Sequence, residues 1–354
     1  MKKIFLSLIV LLLIFSGCSQ LRLSGKYIMV KIKVGEEEKY TFKKITNDFD
    51  YINATIKNKK MTFYDLLDRV YDISNDGQKF IFQAMIGKQP RNSLDRLGNY
   101  IYERKICDKE DFRIVSKYIS WDGVYSNDGE KIAYIHTDSG LPKIWLVNLK
   151  EKDLKSINIT NGKSYPINPI FAPGDTLIFY AYLEDTKNEY LSSDDNKKTN
   201  KCFFIYKLNL RTKIETKICS GYNVTFFPND RNQIVFCRKN YKWAELWYRN
   251  LKTGEERLIL KDDSTGLVQP SVSPDGEKIA YTARTINPVY GNNFDIYVVN
   301  INGKNKRQIT FHPGNDYCPE WSNDGNSLYF VSQRGNIEAY HCIWNVSFVK
   351  YYEL

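Results

Sequence analysis

One short turn motif recurs along the chain and constrains its fold more than any other feature of the sequence. The best copy is Ser273–Tyr281, SPDGEKIAY, in which a Pro-Asp-Gly reversal leads into an apolar strand. In such a turn Pro presets φ, Asp bonds back to its own backbone, and Gly takes the positive φ that closes the reversal. Near copies begin at Ser74, Ser126 and Ser322, and two degraded copies begin at Ala172 and Phe227. The six copies mark six successive strand-turn-strand units.

The spacing of these turns predicts the fold class. Successive turn aspartates are 52, 47, 55, 45 and 49 residues apart, at Asp76, Asp128, Asp175, Asp230, Asp275 and Asp324. Each unit also contains four strand-sized segments, which in the fifth unit are 270–273, 278–284, 295–301 and 307–310. A repeat of this length built only from strands is typical of a radial architecture. The sequence therefore predicts an all-β, six-bladed β-propeller of four-stranded antiparallel blades over residues 68–354.

Residues 1–17 have the pattern of an export signal. Lys2 and Lys3 precede an apolar run, Ile4–Phe15, whose 12 residues reach about 18 Å as a helix, short of a hydrocarbon core of ~30 Å. The run ends at a small-residue site before Cys18 and resembles the lipobox of bacterial lipoproteins. That resemblance implies lipidation of Cys18, and Ser19 after it favours the outer membrane in an organism with two membranes. An ordinary signal peptide with an incidental cysteine is the alternative.

Residues 18–67 are predicted to form the lipidated N-terminus, a hairpin and a connector. Tyr27–Val34 and Lys39–Thr46 alternate in polarity around a Gly-acidic turn, which predicts the hairpin, and residues 49–67 read as the connector. A propeller must also close its ring, because open sheet edges invite aggregation. We expect Lys39–Thr46 to complete blade six as its outer strand. Closure by Lys350–Leu354 is the alternative.

The repeat resembles that of the TolB propeller family. The resemblance rests on Ser273–Tyr281, on Asp295–Asn300 (DIYVVN), on Arg307–Thr310 (RQIT) and on Asp316–Gly325 (DYCPEWSNDG). It implies a TolB-like β-propeller that binds a protein or peptide partner. Related repeats build the propellers of prolyl-oligopeptidase-type peptidases and of some polysaccharide lyases, so the motif indicates architecture more strongly than activity. TolB also carries a compact α/β domain before its propeller, for which residues 18–67 are too few.

Residues with a pattern for catalysis are scarce. The three histidines, His136, His312 and His341, fall in different repeats, and the sequence contains neither a Gly-x-Ser-x-Gly elbow nor an Asp-x-Asp-x-Asp cation loop. We therefore expect a non-enzymatic protein with no cofactor and no metal site. The formal charge of +10 is spread over interspersed basic and acidic residues, so we expect no nucleic-acid partner. Six cysteines besides Cys18 are either free thiols or disulfide-bonded.

The sequence places a candidate binding surface on one side of the ring. The Asp-Gly turns lie together on one side, here called the Asp–Gly face, and the connections from second to third and from fourth to first strands lie on the other, the loop-rich face. The longest insertions, 87–99, 183–201 and 285–294, belong to the loop-rich face, where binding usually sits. Around its channel mouth the inner strands begin with the candidate residues Trp121, Tyr165, Asn168, Tyr222, Gln269, Asp316 and Tyr317. The alternative is that several of these rings pack between blades.

These features predict a lipid-anchored protein of the cell envelope that binds a protein or peptide of that envelope at its loop-rich face. A carbohydrate-binding or polysaccharide-lyase-like propeller is the alternative, so a glycan ligand stays open.

The predicted anchor can be tested directly. Replacing Cys18 with Ala should release the protein from the membrane fraction, because each buried CH₂ of a lipid chain contributes ~0.8 kcal/mol of membrane affinity. Fractionation of cells expressing the wild type and the variant measures this. Unchanged partitioning of the Cys18→Ala protein would contradict lipidation.

Overall fold

A computed structural model gives the architecture of the chain. It describes residues 20–23, 26–29, 41–44, 52–56, 59–63, 69–85, 99–105, 112–116, 120–137, 140–160, 165–191, 198–228, 230–240, 243–262, 266–287, 291–333 and 342–348. The predicted signal segment, Cys18 and the alternative closing segment Lys350–Leu354 lie outside these residues. No helix in the described part of the chain is long and apolar enough to span a membrane.

The regular secondary structure of the described residues consists of strands only. Five strands precede the first blade: β1 (Gln20–Leu23), β2 (Lys26–Met29), β3 (Thr41–Lys44), β4 (Ile52–Ile56) and β5 (Lys59–Phe63). Blades one to three contain β6 (Arg69–Ile73), β7 (Lys79–Met85), β8 (Asn99–Lys105), β9 (Phe112–Ile114), β10 (Ser120–Tyr125), β11 (Lys131–His136), β12 (Lys143–Asn148), β13 (Ser156–Asn158), β14 (Pro166–Phe171), β15 (Leu177–Leu191), β16 (Lys198–Asn209) and β17 (Glu215–Ser220). Blades four to six contain β18 (Tyr222–Phe227), β19 (Asp230–Asn240), β20 (Trp243–Asn250), β21 (Glu256–Asp262), β22 (Leu267–Val272), β23 (Lys278–Asn287), β24 (Gly291–Asn300), β25 (Arg307–Gln308), β26 (Asp316–Trp321), β27 (Ser327–Ser332) and β28 (Cys342–Ser347).

These strands form the predicted six-bladed propeller. Each blade is a four-stranded antiparallel sheet whose first strand is the innermost, and in blades one to five the strands follow chain order. Inner strands of successive blades contact one another, and β26 of blade six contacts β6 of blade one, so the ring closes. Blade six takes its fourth strand from β3, whose residues Thr41–Lys44 pair with Ser347–Trp344 of β28. Closure by the N-terminal strand is thus confirmed.

The segment before blade one differs in two details from its prediction. Residues 26–29 pair with residues 20–23 and not with Lys39–Thr46. The strand within Lys39–Thr46 pairs with β28 at the outer edge of blade six instead. Within the predicted connector, β4 and β5 pair as a hairpin from Ile52↔Phe63 to Ile56↔Lys59. The predicted pairing failed because short alternating segments do not specify which edge they join.

A repeated hydrogen-bond network holds the Asp-Gly turns. In blade five the Ser273 hydroxyl donates to Asp275 Oδ1 at 2.5 Å, and the same oxygen accepts the N–H of Glu277 at 2.9 Å. Ser273 Oγ also accepts the N–H of Lys278 at 2.9 Å, so the hydroxyl links both ends of the turn. The same three bonds recur in the turns that begin at Ser74, Ser126 and Ser322. The motif therefore encodes a side-chain network in addition to a backbone shape.

The two degraded turns use their aspartates differently. Blade three has Ala172 in place of Ser, and its Asp175 carboxylate accepts the backbone N–H groups of Asn127 and Asp128 in blade two, at 2.8 and 3.0 Å. In blade four, Asp230 Oδ1 accepts the N–H of Asn232 at 2.8 Å. The side chain of Asp175 thus joins blades two and three.

Asparagines in the proline position of the turn connect neighbouring blades. Asn75 Nδ2 donates to the Asn127 carbonyl at 2.6 Å, Asn127 Nδ2 donates to the Ala172 carbonyl at 3.0 Å, and Asn323 Nδ2 donates to the Asn75 carbonyl. These bonds join blades six, one, two and three in sequence. Blades three, four and five have proline there, at Pro173, Pro228 and Pro274, which has no such donor.

Aromatic pairs fill the space between blades. In each blade an aromatic residue of the second strand lies directly opposite one of the third: Phe82/Tyr102, Tyr134/Trp145, Tyr180/Tyr206, Phe236/Trp247, Tyr281/Tyr297 and Phe330/Trp344. The rings of Tyr281 and Tyr297, for example, stack with centroids 5.8 Å apart. Such cross-strand pairs contribute roughly 0.2–1 kcal/mol each. Because every blade has a large aromatic pair at the same register, neighbouring blades are spaced evenly around the propeller.

The turn glycine of blade five provides a test of this local structure. Gly276 has φ of 75°, and a side chain there would place its Cβ 3.5 Å from the Phe227 ring. Replacing it with Val should destabilise the protein by about 1–3 kcal/mol, because an L-residue is strained at this φ. Thermal unfolding measures the loss. As a control, Gly140→Val falls where nothing lies within 4 Å of the added Cβ; an equal shift in Tm for both variants would refute the explanation.

Candidate binding site

The inner strands enclose a channel that opens toward the Asp–Gly face. Its volume is about 770 Å³, and residues of all six blades line it. In most blades the part that lines the channel begins at the third residue of the inner strand, such as Asn168, and ends in the turn that follows, such as at Asn75 and Asn323. Most of the polar lining is amide or hydroxyl, and the titratable lining includes three carboxylates, Asp72, Asp122 and Glu320, with no basic side chain among the described residues. The channel is therefore a polar, acidic space in a protein of net positive charge.

A β-bulge in each inner strand shapes this channel. In β10 the pairing with β11 passes from Trp121↔Ile135 to Val124↔Ala133, which leaves one extra residue in the inner strand. In blades two to six one bulge residue has positive φ, between 49° and 56°: Asp122, Asn168, Asn223, Gln269 and Cys318. Asp and Asn tolerate this left-handed conformation better than most residues. At the bulge, the regular alternation of side chains between the two faces of the inner strand is interrupted where the strand borders the channel.

Side chains at the bulges bond across blade boundaries. Asp122 Oδ2 accepts the N–H of Asn168 at 3.1 Å, which joins blades two and three. Gln269 Oε1 accepts the N–H of Cys318 at 3.2 Å, and Gln269 Nε2 contacts Cys318 Sγ at 3.0 Å, which joins blades five and six. The strained backbone, which costs about 1–3 kcal/mol per residue, is offset in part by these bonds.

Two carboxyl groups meet where blade six abuts blade one. Asp72 and Glu320 occupy the same repeat position, two residues before the turn serine, and the other blades have Val124, Ile170, Thr225 and Ser271 there. Asp72 Oδ2 accepts the N–H of Tyr125 at 2.7 Å, and Glu320 Oε2 accepts the hydroxyl of Ser271 at 2.9 Å. Glu320 is accessible to water in the channel.

Enclosure by the blades raises the pKa of both groups. Desolvation raises the pKa of Asp72 to about 7, although the N–H groups of Tyr125 and Ile73 oppose the rise. Desolvation also raises the pKa of Glu320 to about 8, and the charge of Asp72 adds to the rise. Near neutral pH the pair therefore holds a proton that free carboxyl groups would have lost.

The sequence-predicted residues fall into three environments. Asn168 and Gln269 line the channel, as described above. Trp121 and Tyr222 are partly buried and pack against the cores between blades, and Asp316 is fully buried. Tyr317 is partly buried with its ring 5.5 Å from that of Phe294, whereas Tyr165 is 60% exposed on the loop-rich face. The structure thus brings Asn168 and Gln269 together in the channel, and ligand binding by the seven residues stays a prediction.

Sequence reasoning missed most of the channel lining, including Asp72, Asp122, Asn223, Cys318 and Glu320. The signal that would have found these five is register: Asp122, Asn223 and Cys318 lie four positions before the first residue of the turn motif, and Asp72 and Glu320 lie two positions before it. No single residue type marks the bulge in the sequence, because the residue with left-handed φ is Asp, Asn, Gln or Cys in different blades.

The loop-rich face has both protruding strands and exposed apolar side chains. Here β15 and β16 pair out to Leu191↔Lys198, and β23 and β24 pair out to Asn287↔Gly291, whereas the corresponding pair of blade two ends at His136↔Lys143. Three large apolar side chains on this face are exposed: Leu141 by 42%, Tyr165 by 60% and Ile286 by 63%. Exposed apolar groups beside extended strands are typical of a surface that contacts another molecule.

Other candidate chemistries find little support among the described residues. Within them no group of three or more His, Cys, Asp or Glu side chains could hold a metal ion. Cys202, Cys219, Cys237 and Cys318 are free thiols. The side chains of Cys107 and Cys342 lie outside the described residues.

Comparison with known proteins agrees with this architecture. Residues 224–347, which span blades four to six, match the family model described as TolB beta propeller domain. No curated protein matches the sequence at a significant level.

Solved structures share the fold. TolB from Acinetobacter baumannii has a TM-score of 0.55 at 17% identity, over 77% of this chain and 64% of that protein. A putative TolB from Agrobacterium tumefaciens has a TM-score of 0.51 at 15% identity, over 78% of this chain and 89% of that one. Hydrazine synthase from Kuenenia stuttgartiensis has a TM-score of 0.53 at 14% identity, over 75% of this chain and 43% of that one. At these identities the likeness shows the fold alone.

The carboxyl pair predicts a pH dependence of stability. Because folding raises both pKa values, the stability from the neutral forms is complete below about pH 4 and is lost as the pH rises through 7 and 8. Water screens Glu320, so we expect a modest fall in Tm, about 2 °C or more, between pH 6 and pH 8.5. Thermal unfolding of the wild type and of the Asp72→Asn, Glu320→Gln double variant measures it, and the variant should show a smaller fall.

A control variant distinguishes the effect of the carboxyl pair from the effect of removing any acidic residue. The hydrogen bond from Ser273 lowers the pKa of Asp275, so this group titrates below the tested range. Asp275→Asn should therefore leave the fall in Tm between pH 6 and pH 8.5 unchanged. A double variant with the full wild-type fall would show that the pair does not cause it.

Proposed function

We propose that this TolB-like β-propeller is a non-enzymatic, lipid-anchored protein of the cell envelope that binds a protein or peptide partner at its loop-rich face. The observation that carries the proposal is the exposure of Tyr165, Leu141 and Ile286 on one face beside the extended strand pairs β15–β16 and β23–β24. Aromatic and aliphatic side chains of this kind contribute most of the affinity at protein interfaces, provided that a partner excludes water from them.

The rigid ring beneath this face supports the same function. Hydrogen bonds from bulge residues and turn asparagines join blade six to one, one to two, two to three and five to six, so the protruding connections lie on a scaffold with few internal degrees of freedom. A preorganised surface loses less conformational entropy on binding than a flexible one. The anchor at Cys18 would hold the propeller close to a membrane of the cell envelope.

Partner contact can be tested in living cells by photo-crosslinking. A photo-reactive residue in place of Tyr165 or Ile286 should capture a protein, and the same residue in place of Ile214 should not. Ile214 is the matched control because it is 62% exposed, almost as Ile286 is at 63%, and lies in a turn on the Asp–Gly face. Capture from position 214 alone would place the contact on the wrong face.

The captured partner then allows a measurement of affinity. The Tyr165→Ala, Ile286→Ser double variant should bind it about thirtyfold more weakly, since truncation at an interface hot spot costs ~2 kcal/mol or more. Ile214→Ser should bind normally. Binding of an envelope glycan by the wild type, lost in the double variant, would instead favour the carbohydrate alternative.

A further inference from the structure

The strand that closes the ring also determines where the N-terminal segment reaches the propeller. Thr41, the first residue of β3, pairs with Ser347, and Ser347 pairs with Ser327. Ser327 is the first strand residue after the Asp324-Gly325 turn. Thr41 therefore lies at the Asp–Gly face, and β3 runs away from it. The chain that precedes β3 reaches the propeller at the outer corner of blade six on this face.

Chain length limits how far a lipid at Cys18 can lie from that corner. Gln20 pairs with Met29, so the β1–β2 hairpin brings the chain back close to its starting point. Only 11 residues, 30–40, lie between Met29 and Thr41, so at most about 40 Å of extended chain joins Met29 to the propeller. A lipid at Cys18 would thus attach the propeller to the membrane through the corner of blade six at the Asp–Gly face.

The periphery of the same face is basic. The turns from third to fourth strands in blades two to five, 149–155, 210–214, 251–255 and 301–306, lie on this face and form what we call the basic rim. The rim has eight exposed basic side chains, Lys150, Lys152, Lys155, Arg211, Lys213, Lys252, Lys304 and Lys306, against three exposed acidic ones, Glu151, Asp153 and Glu255. The exposed apolar side chain of Ile214 lies among them.

The other acidic residues of this face, the turn aspartates with Glu130 and Glu277, lie further in, and Glu130 forms an ion pair with Lys150 of the rim. The turn aspartates adjoin the channel, and in four blades they accept bonds from a serine hydroxyl and a backbone amide of their own turn. Lys131 and Lys278 also pair with Asp128 and Asp275, at 3.4 Å each. These carboxylates are thus partly compensated locally, and the outer ring of positive charge is what a flat anionic surface meets.

We propose that the Asp–Gly face is the membrane-proximal face and that the basic rim binds anionic lipid headgroups. This inference rests on the lipid anchor of the proposed function and adds an orientation to it. Each Lys or Arg near an anionic membrane strengthens binding by about fivefold. Several rim residues acting together therefore hold the tethered propeller in one orientation. The loop-rich face then points away from the membrane, where a partner has access to it.

Lysine footprinting of the lipidated full chain tests the orientation. The protein is placed in vesicles of phosphatidylglycerol and phosphatidylethanolamine, or of phosphatidylcholine alone, and treated with a membrane-impermeant acylating reagent. On the anionic vesicles Lys152, Lys213 and Lys304 should label at least threefold more slowly than on the neutral ones. Lys239 and Lys261, which are exposed near the loop-rich ends of β19 and β21, should label equally on both.

A charge-reversal pair separates the rim from general basicity. In the Lys152→Glu, Lys213→Glu, Lys304→Glu variant, the remaining rim residues Lys150 and Lys306 should lose their protection on anionic vesicles. The matched control, Lys239→Glu, Lys261→Glu, Arg284→Glu, removes the same charge from exposed positions elsewhere and should retain that protection.

Each outcome decides the inference. If mass spectrometry shows a lipidated Cys18 and the rim labels equally on both kinds of vesicle, the orientation is wrong although the anchor stands. Protection of Lys239 and Lys261 in place of the rim would reverse the orientation. An unlipidated N-terminal peptide would remove the anchor and this inference with it.

Discussion

The structure depends on the hydrogen bonds that the turn serine and aspartate make in four of the six blades. Because Ser Oγ links the two ends of the reversal, it fixes the register between the first and second strands, and a shift of one residue would turn the core side chains outward. Every later contact of the blade follows from that register, including the aromatic pair between its second and third strands. In blade three, where Ala172 takes the place of the serine, Asp175 instead accepts backbone N–H groups of the neighbouring blade.

The channel shows how a repeated scaffold acquires a local character. The bulge is a property of the repeat, and so are the blade-to-blade bonds that its side chains make. The carboxyl pair is different, since only blades one and six have an acid at that position, and ring closure places the two acids side by side although Asp72 and Glu320 are far apart in sequence. Their raised pKa values therefore arise from the closing of the ring and from the enclosure of the channel.

Strand direction separates the two faces of the propeller and gives them different compositions. Every reversal after a first or third strand falls on the Asp–Gly face, where short turns join strands of the same blade and positive charge lies at the periphery. Every connection after a second or fourth strand falls on the opposite face, where long strand pairs and exposed apolar side chains are found. If the protein is anchored at the Asp–Gly face and binds its partner at the loop-rich face, membrane attachment and partner binding use separate surfaces.

The sequence by itself determined the architecture and the number of blades, because the turn motif and the alternation of each strand are local signals that repeat six times. It favoured Lys39–Thr46 as the strand that closes the ring but left Lys350–Leu354 open, and the pairing of Thr41–Lys44 with blade six came from the tertiary structure. The sequence also indicated which side has the long connections. The tertiary structure alone decided which aromatic residues stay exposed: Trp121 and Tyr222 resemble Tyr165 in sequence, yet they are partly buried between blades that are adjacent only in the folded ring. It likewise decided the meeting of Asp72 and Glu320 and the pairing of residues 20–29, since such contacts depend on which edges and positions closure brings together, and no local pattern encodes that.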